Sequence, residues 1–216
     1  MMKACIFDLD GTLADTLESL IYSVQETLTE MGLSKITKEQ CRQFVGNGAR
    51  CLMDQAIRAA GDPDGERLDE AMRAYGRIFA KNCTYHVTLY EGIADMVNAL
   101  RDRGIKLGVL SNKPHAQTYQ IVMEMFGEGT FDCISGQQEH VKRKPDPEGI
   151  YRILKELNVS PQECLYVGDS EVDIETGKNG GIKTVGVTWG FRTKEELETV
   201  GAKHLVHHPM KLLQFV

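Results

Sequence analysis

The stretch CIFDLDGTLADT, residues 5–16, decides how the rest of the chain is read. It starts as an apolar run of the kind that forms a buried strand. It ends in two carboxylates, Asp8 and Asp10, with Leu9 between them. Side chains alternate across a strand, so both acids are expected on one side and the leucine on the other. Two like charges at the end of a buried strand repel each other and lose hydration. Such a pair is tolerated where something uses it: a divalent cation, a shared proton, or both.

Further along the chain, short apolar runs recur at 3–9, 105–110, 131–135, 163–167 and 182–187. Helical spacing fills the intervals. Ile93, Met96, Val97 and Leu100 fall at i, i+3, i+4 and i+7 within residues 92–103, and residues 146–157 and 209–215 look similar. Strand–helix alternation of this kind predicts an α/β fold, a doubly wound parallel sheet with helices on both faces. Residues 15–85 break the rhythm. They read as helices at 16–31, 37–45, 49–60 and 66–82, punctuated by Gly32, by Gly46-Asn47-Gly48 and by Gly61-Asp62-Pro63. The expected organisation is therefore a Rossmann-like core from residues 1–14 and 88–216, with an inserted helical domain over 15–87. The joints are expected near Thr12–Thr16 and Val87–Gly92.

Composition narrows the function classes. The chain has 216 residues and a net charge of −6, and its basic residues are scattered except for Lys142-Arg143-Lys144. That argues against a nucleic-acid partner, which needs clustered Lys and Arg. No apolar run is long enough for a membrane span, so no membrane partner is expected. The six cysteines stand singly without a Cys-x-x-Cys pair. This excludes a zinc ribbon and fits a reducing, cytoplasmic compartment. The N-terminal residues lead directly into the acid-bearing strand, where no signal-peptide core fits.

Strands of a doubly wound sheet bring their C-terminal ends to one crevice, where ligands bind. The run 105–110 ends in Ser111-Asn112-Lys113, and 163–167 ends in Gly168-Asp169-Ser170, with Asp173 four residues after Asp169. Lys144 precedes Pro145 and a helix starting near Asp146. Several acids with water make a good oxygen set for Mg²⁺. Ser111, backbone N–H groups at a helix start and Lys144 make an anion cradle. A cation site beside an anion cradle points to a bound phosphate. Blander readings exist for each residue. Asp169 and Asp173 also suit a helix cap and first turn, Ser111 suits a turn, and Lys113 rivals Lys144 for its role.

The sequence resembles the haloacid dehalogenase-like superfamily of aspartyl-phosphate phosphatases. The motifs that carry the resemblance are DLDGT (8–12), LSNK (110–113), KPDP (144–147) and GDSEVD (168–173), in that order, and the resemblance covers essentially the whole chain. The helical insert resembles the family's alpha-helical cap. Through DGTLADT, VGNGA (45–49), GVLSNK and VGVTWG (185–190), the chain is most similar to phosphoglycolate phosphatase-like members. The resemblance implies Asp8 as nucleophile and Asp10 as general acid/base. It implies Mg²⁺ held by Asp8, the Asp10 carbonyl and Asp169, with Asp173 in support, and a phosphoryl group held by Ser111 and Lys144. Gly11 suits a tight exit turn, and Thr12 and Asn112 are expected to contact substrate. A free aspartic acid titrates near 3.9, so an acid role at pH 7 asks for a shift of about 3 units, roughly 4 kcal/mol.

The expected activity is therefore Mg²⁺-dependent hydrolysis of a small-molecule phosphate ester, with 2-phosphoglycolate as one candidate, by a monomer or homodimer. Asp10 argues against the dehalogenases and phosphonate hydrolases of the superfamily, which lack it. A sugar phosphomutase and a pyrophosphatase remain as alternatives. From another class, a phospho-acceptor regulatory domain would need one acceptor aspartate but neither Asp10 nor a lid. In the insert, Gly46-Asn47-Gly48 reads either as a helix–helix turn or as a loop that presents Asn47 and Arg50 to substrate. His204, His207 and His208 read as a surface strand end before Pro209, and Trp189 as packing for a loop beside the sheet.

Overall fold

Ala4, Cys5, Ile6 and Phe7 are all buried and form the first strand, β1 (Ala4–Phe7). A computed structural model describes residues 2–216. After β1 come β2 (Ala14–Asp15) and four helices: α1 (Leu17–Glu30), α2 (Lys38–Phe44), α3 (Ala49–Ala60) and α4 (Leu68–Asn82). The chain then alternates through β3 (Thr88–Leu89), α5 (Ile93–Asp102), β4 (Lys106–Pro114), α6 (His115–Phe126), β5 (Cys133–Gln137) and α7 (Glu148–Leu157). It finishes with β6 (Cys164–Gly168), α8 (Glu171–Asn179), β7 (Lys183–Val187), α9 (Lys194–Thr199) and β8 (Leu205–Val206).

Six strands form one sheet in the order β5-β4-β1-β6-β7-β8, and every neighbouring pair is parallel. Alternation along β1 sends its residues to two faces. Ala4 and Ile6 join Ile150, Ile153, Leu154 and Leu157 of α7 in one core cluster. Cys5 and Phe7, equally buried, face the other side. The helical spacing in α5 is matched by burial, since Ile93, Met96, Val97 and Leu100 are its buried residues. From β1 the chain winds outward through β4 to β5, then crosses to β6 and winds the other way. The strand order therefore reverses at β1, and a crevice is expected beyond the C-terminal ends of β1 and its neighbours.

Some local expectations are corrected. The first strand stops at Phe7, short of residue 9, because the Leu9 carbonyl is taken by the N–H groups of Leu13 and Ala14 in a tight turn, each at 3.1 Å. Strand alternation therefore does not place Asp8 and Asp10. β4 continues through Ser111–Lys113 to Pro114, with an irregular register against β5. Residues 209–215 form a 3-10 segment led by Pro209, not an α-helix. β2 and β3 pair antiparallel as a two-residue ribbon, too short to leave a period in the sequence.

The chain divides into two compact units, one of residues up to Asp15 with Thr88–Val216, the other Thr16–Val87. Asp15 belongs to the sheet-bearing unit through β2. In the helical unit, α1 packs along α4, and α3 against both. Leu20, Val24 and Leu28 of α1 and Ala71, Ala74, Tyr75 and Phe79 of α4 are buried. Thr37 caps α2 by accepting from the Gln40 N–H, while the Gln40 side chain accepts from the Thr37 N–H.

Candidate active site

The turn after β1 places Asp8 at the strand's exit, where its N–H donates to the Val167 carbonyl of β6 at 2.9 Å. Its carboxylate is almost fully buried. Gly11 follows with φ +82°, a left-handed conformation that favours glycine. A Cβ at Gly11 would also overlap the Asp169 carboxylate, so this turn and the end of β6 can approach only because residue 11 has no side chain. Thr12 Oγ1 closes the approach by donating to Asp169 Oδ1 at 3.1 Å.

Asp169 stands just beyond β6. Its second oxygen accepts from the Phe191 N–H at 2.7 Å, and a Cβ at Gly190 would collide with both the Gly11 carbonyl and the Asp169 side chain. The Trp189 indole donates to the Thr12 carbonyl at 2.9 Å, so the loop after β7 is tied to the turn after β1. Ser170 caps α8, with its hydroxyl and N–H donating to Asp173 Oδ2 at 2.6 and 3.1 Å. On the other oxygen, Asp173 accepts from Tyr166 Oη at 2.7 Å and from Lys144 Nζ at 2.8 Å. Four donors fill the usual acceptor capacity of a carboxylate. The cap of α8 is therefore Ser170 and not Asp169, whose oxygens go to Thr12 and Phe191, while Asp173 is the first-turn acid and carries the charge as well.

Lys144 is buried and lies between two acids, with Nζ at 2.9 Å from Asp8 Oδ1 and 2.8 Å from Asp173 Oδ1. Its backbone is bracketed by one side chain. Asn112 Nδ2 donates to the Lys144 carbonyl at 3.0 Å, and the Lys144 N–H donates to Asn112 Oδ1 at 2.8 Å. Ser111 is buried beside them and accepts from the Lys113 N–H at 3.2 Å. Lys113, the rival for the role of Lys144, has a different partner: its Nζ lies 2.6 Å from Asp10 Oδ1.

Burial raises the pKa of Asp8 well above the ordinary carboxylate range, and Asp173, Asp169 and Asp10 add to the rise while Lys144 opposes it. Asp169 is pushed up to about 7 by burial and by Asp173, against the Phe191 N–H, Thr12 and Arg192. Burial acts against the Lys144 charge, yet Asp173 and Asp8 hold its pKa above the usual lysine value. Asp173 shifts the other way, because Lys144, Ser170 and Tyr166 outweigh the effect of burial and keep it anionic. Burial and mutual repulsion hold these two acids above their usual range even beside Lys144, so a further positive charge would relieve them. The chemistry of the donor set says what would supply it. Asp8, Asp169 and Asp173 each place an oxygen within 4.8 Å of the others, and hard oxygen donors so grouped suit a hard divalent cation, with Asp8 and Asp169 as direct donors and Asp173, whose acceptor sites are filled, in support.

The sheet unit thus gathers Asp8, Asp10, Gly11, Thr12, Ser111, Asn112, Lys144, Asp169 and Asp173. Asn47 and Arg50 belong to the helical unit, where Arg50 is exposed and pairs with Asp69 at 2.8 Å. His207 meets Thr188 Oγ1, and His208 accepts from the Met210 N–H. Tyr166 and Phe191 are not among the residues the sequence motifs mark, and Gly190 is marked only as the end of VGVTWG. The tyrosine was the one visible signal, a hydroxyl inside an apolar strand that needs a buried partner.

A model of haloacid dehalogenase-like hydrolases matches residues 5–187. The chain belongs to the haloacid dehalogenase-like hydrolase family. Among its relatives, it is 30% identical to N-acetylmuramic acid 6-phosphate phosphatase of Pseudomonas putida, over 100% of this chain and 96% of that one. It is 32% identical to phosphoglycolate phosphatase of Aquifex aeolicus, over 88% of this chain and 86% of that one. The crystal structure of CbbY from Rhodobacter sphaeroides in complex with phosphate superposes with a TM-score of 0.81 at 28% identity, covering 98% of this chain and 96% of that one. The family's α/β sheet is the one described above, and its phosphoglycolate phosphatase-like members are the part of the family that this chain resembles.

Proposed function

We propose that the protein is a magnesium-dependent phosphatase that hydrolyses a small-molecule phosphate monoester through an aspartyl-phosphate on Asp8. The observation that carries this is the buried Asp8 carboxylate, held 2.9 Å from Lys144 Nζ with Asp169 beside it, at the point where the strand order reverses. In the first step an Asp8 oxygen attacks phosphorus, the P–O bond to the leaving group breaks, and Asp10 gives the departing alkoxide its proton. In the second, water attacks phosphorus as Asp10 takes its proton, the P–O bond to Asp8 breaks, and inorganic phosphate leaves with Asp8 restored. Lys144 and the Ser111 hydroxyl hold the transferring phosphoryl oxygens, and Asn112 keeps Lys144 in place. Thr12 and Gly11 shape the turn against which those oxygens rest. Asp8, Asp169 and the Asp10 carbonyl would hold Mg²⁺, with Asp173 in support, and the ion would supply charge stabilisation for the phosphoryl group.

We assign substrate discrimination to the helical unit, with Asn47 and Arg50 as its polar contacts. Two substrates lead the panel, 2-phosphoglycolate and N-acetylmuramic acid 6-phosphate, because relatives are named for them. A cytoplasmic location agrees with six cysteines that form no disulfide.

The test is phosphate release from p-nitrophenyl phosphate and from that panel, with and without Mg²⁺. Asp10→Asn is expected to lower kcat by about 10²–10⁴-fold. Near-normal turnover in that variant, or a stable phospho-aspartate with no turnover in the unaltered chain, overturns the reading.

A further inference from the structure

The opposite end of the sheet carries a second concave feature. The C-terminal turn of α8, the start of β7 and the segment leading from α9 into β8 enclose a cavity of about 510 Å³. That size lies within the usual range for small-molecule sites. Buried Ile174 and Ile182 give it an apolar floor, and Lys178, Lys183, Lys203 and His204 line it from the exposed side. No Asp or Glu lines it.

This gathering of cations runs against the composition. The chain has 25 Lys and Arg against 31 Asp and Glu, so carboxylate partners are plentiful. Yet among the described residues none of the three lysines lies within ion-pair distance of a carboxylate. The one side is also pre-ordered. Lys183 Nζ lies 4.9 Å from the centre of the Phe215 ring, and His204 packs edge-on against the same ring at 5.5 Å. Lysine is a point-charge phosphate binder with three donors, and three of them over an apolar floor match a multiply charged anion with an organic body. The site shares no residue with the carboxylate crevice. Four residue steps along β7 separate Lys183 from Val187, about 13 Å at strand rise.

We propose that this cavity is a second, non-catalytic site for a small organic phosphate. The phosphate meets Lys178, Lys183 and Lys203, and the organic body covers Ile174 and Ile182.

The experiment is an amide NMR titration of the full chain in EDTA, with adenosine 5′-monophosphate and phenyl phosphate as probes and inorganic phosphate as control. At least one organic probe is expected to give saturable shifts at the amides of residues 181–184 and 201–204. The variant combining Lys178→Gln, Lys183→Gln and Lys203→Gln is expected to weaken that response at least tenfold, while probe-induced shifts at residues 8–12 persist. These lysines are exposed, so an otherwise superimposable spectrum establishes that the variant is folded. Three results would each overturn the proposal. Neither organic probe saturates, the triple variant responds as the parent does, or inorganic phosphate reproduces the shifts at equal concentration, which marks an adventitious ion only.

Discussion

Two lysines in the crevice hold three acids, and they are not interchangeable. Lys144 joins Asp8 to Asp173, whereas Lys113 reaches Asp10 at 2.6 Å. The Lys113 side chain is 2% exposed, so its position is set by packing and it can orient Asp10. Lys113→Met is expected to lower kcat by about 10²-fold with KM little changed, the cost of a misplaced reacting group, and Lys113→Arg to recover part of it. Steady-state kinetics of the three proteins measure this split. Asp169 gives a pH prediction. Its folded pKa, about 7, lies above its ordinary value of 3.8. Between those values the folded, metal-free protein binds more protons than the unfolded chain. The stability that Asp169 contributes is therefore complete below about pH 4 and is lost as pH rises through 7. Added Mg²⁺ is expected to raise Tm more at pH 8 than at pH 5.5. Calorimetry in EDTA and in Mg²⁺ at both values checks it, and an equal rise at the two would contradict the assignment of Asp169 to the cation.

Element by element, legibility followed length and period. The apolar spacing of α5 and α7 showed in the sequence because each helix packs one face, and Asp173 showed as a first-turn acid, although the cap itself is Ser170 and not Asp169. β2, β3 and β8 have two residues each, and no periodicity can be read from two residues. The end of β1 was misplaced for a different reason. Apolar character continues to Leu9, but the turn consumes the Leu9 carbonyl and ends the ladder at Phe7. β6 carries a prediction of its own. Tyr166→Phe keeps the ring and removes the donor to Asp173, leaving Lys144 and Ser170 in place. The expected loss is about 1–2 kcal/mol of unfolding free energy, measured by urea denaturation at pH 7.

At the scale of the whole molecule, two units divide the work proposed for the protein. Chemistry is assigned to the sheet unit and discrimination to the helical one. Arg50 is exposed on α3 and its partner Asp69 is exposed too, so its removal is cheap for folding. Arg50→Ala is expected to raise KM for 2-phosphoglycolate about tenfold or more while Mg²⁺ affinity stays unchanged. A metal titration beside substrate kinetics separates the two effects. Read along the chain, the alternation of apolar runs, the helical insert and the order of four short motifs were enough for the fold class and the family, because each depends on neighbours within a few residues. The crevice itself is another matter. Thr12 and Asp169 are 157 residues apart, and Lys113 and Asp10 are 103 apart. Which lysine meets which acid, and why residues 11 and 190 must lack side chains, depend on how closely separate strand ends approach. That spacing arises from sheet order and core packing acting together, and no local stretch of residues encodes it.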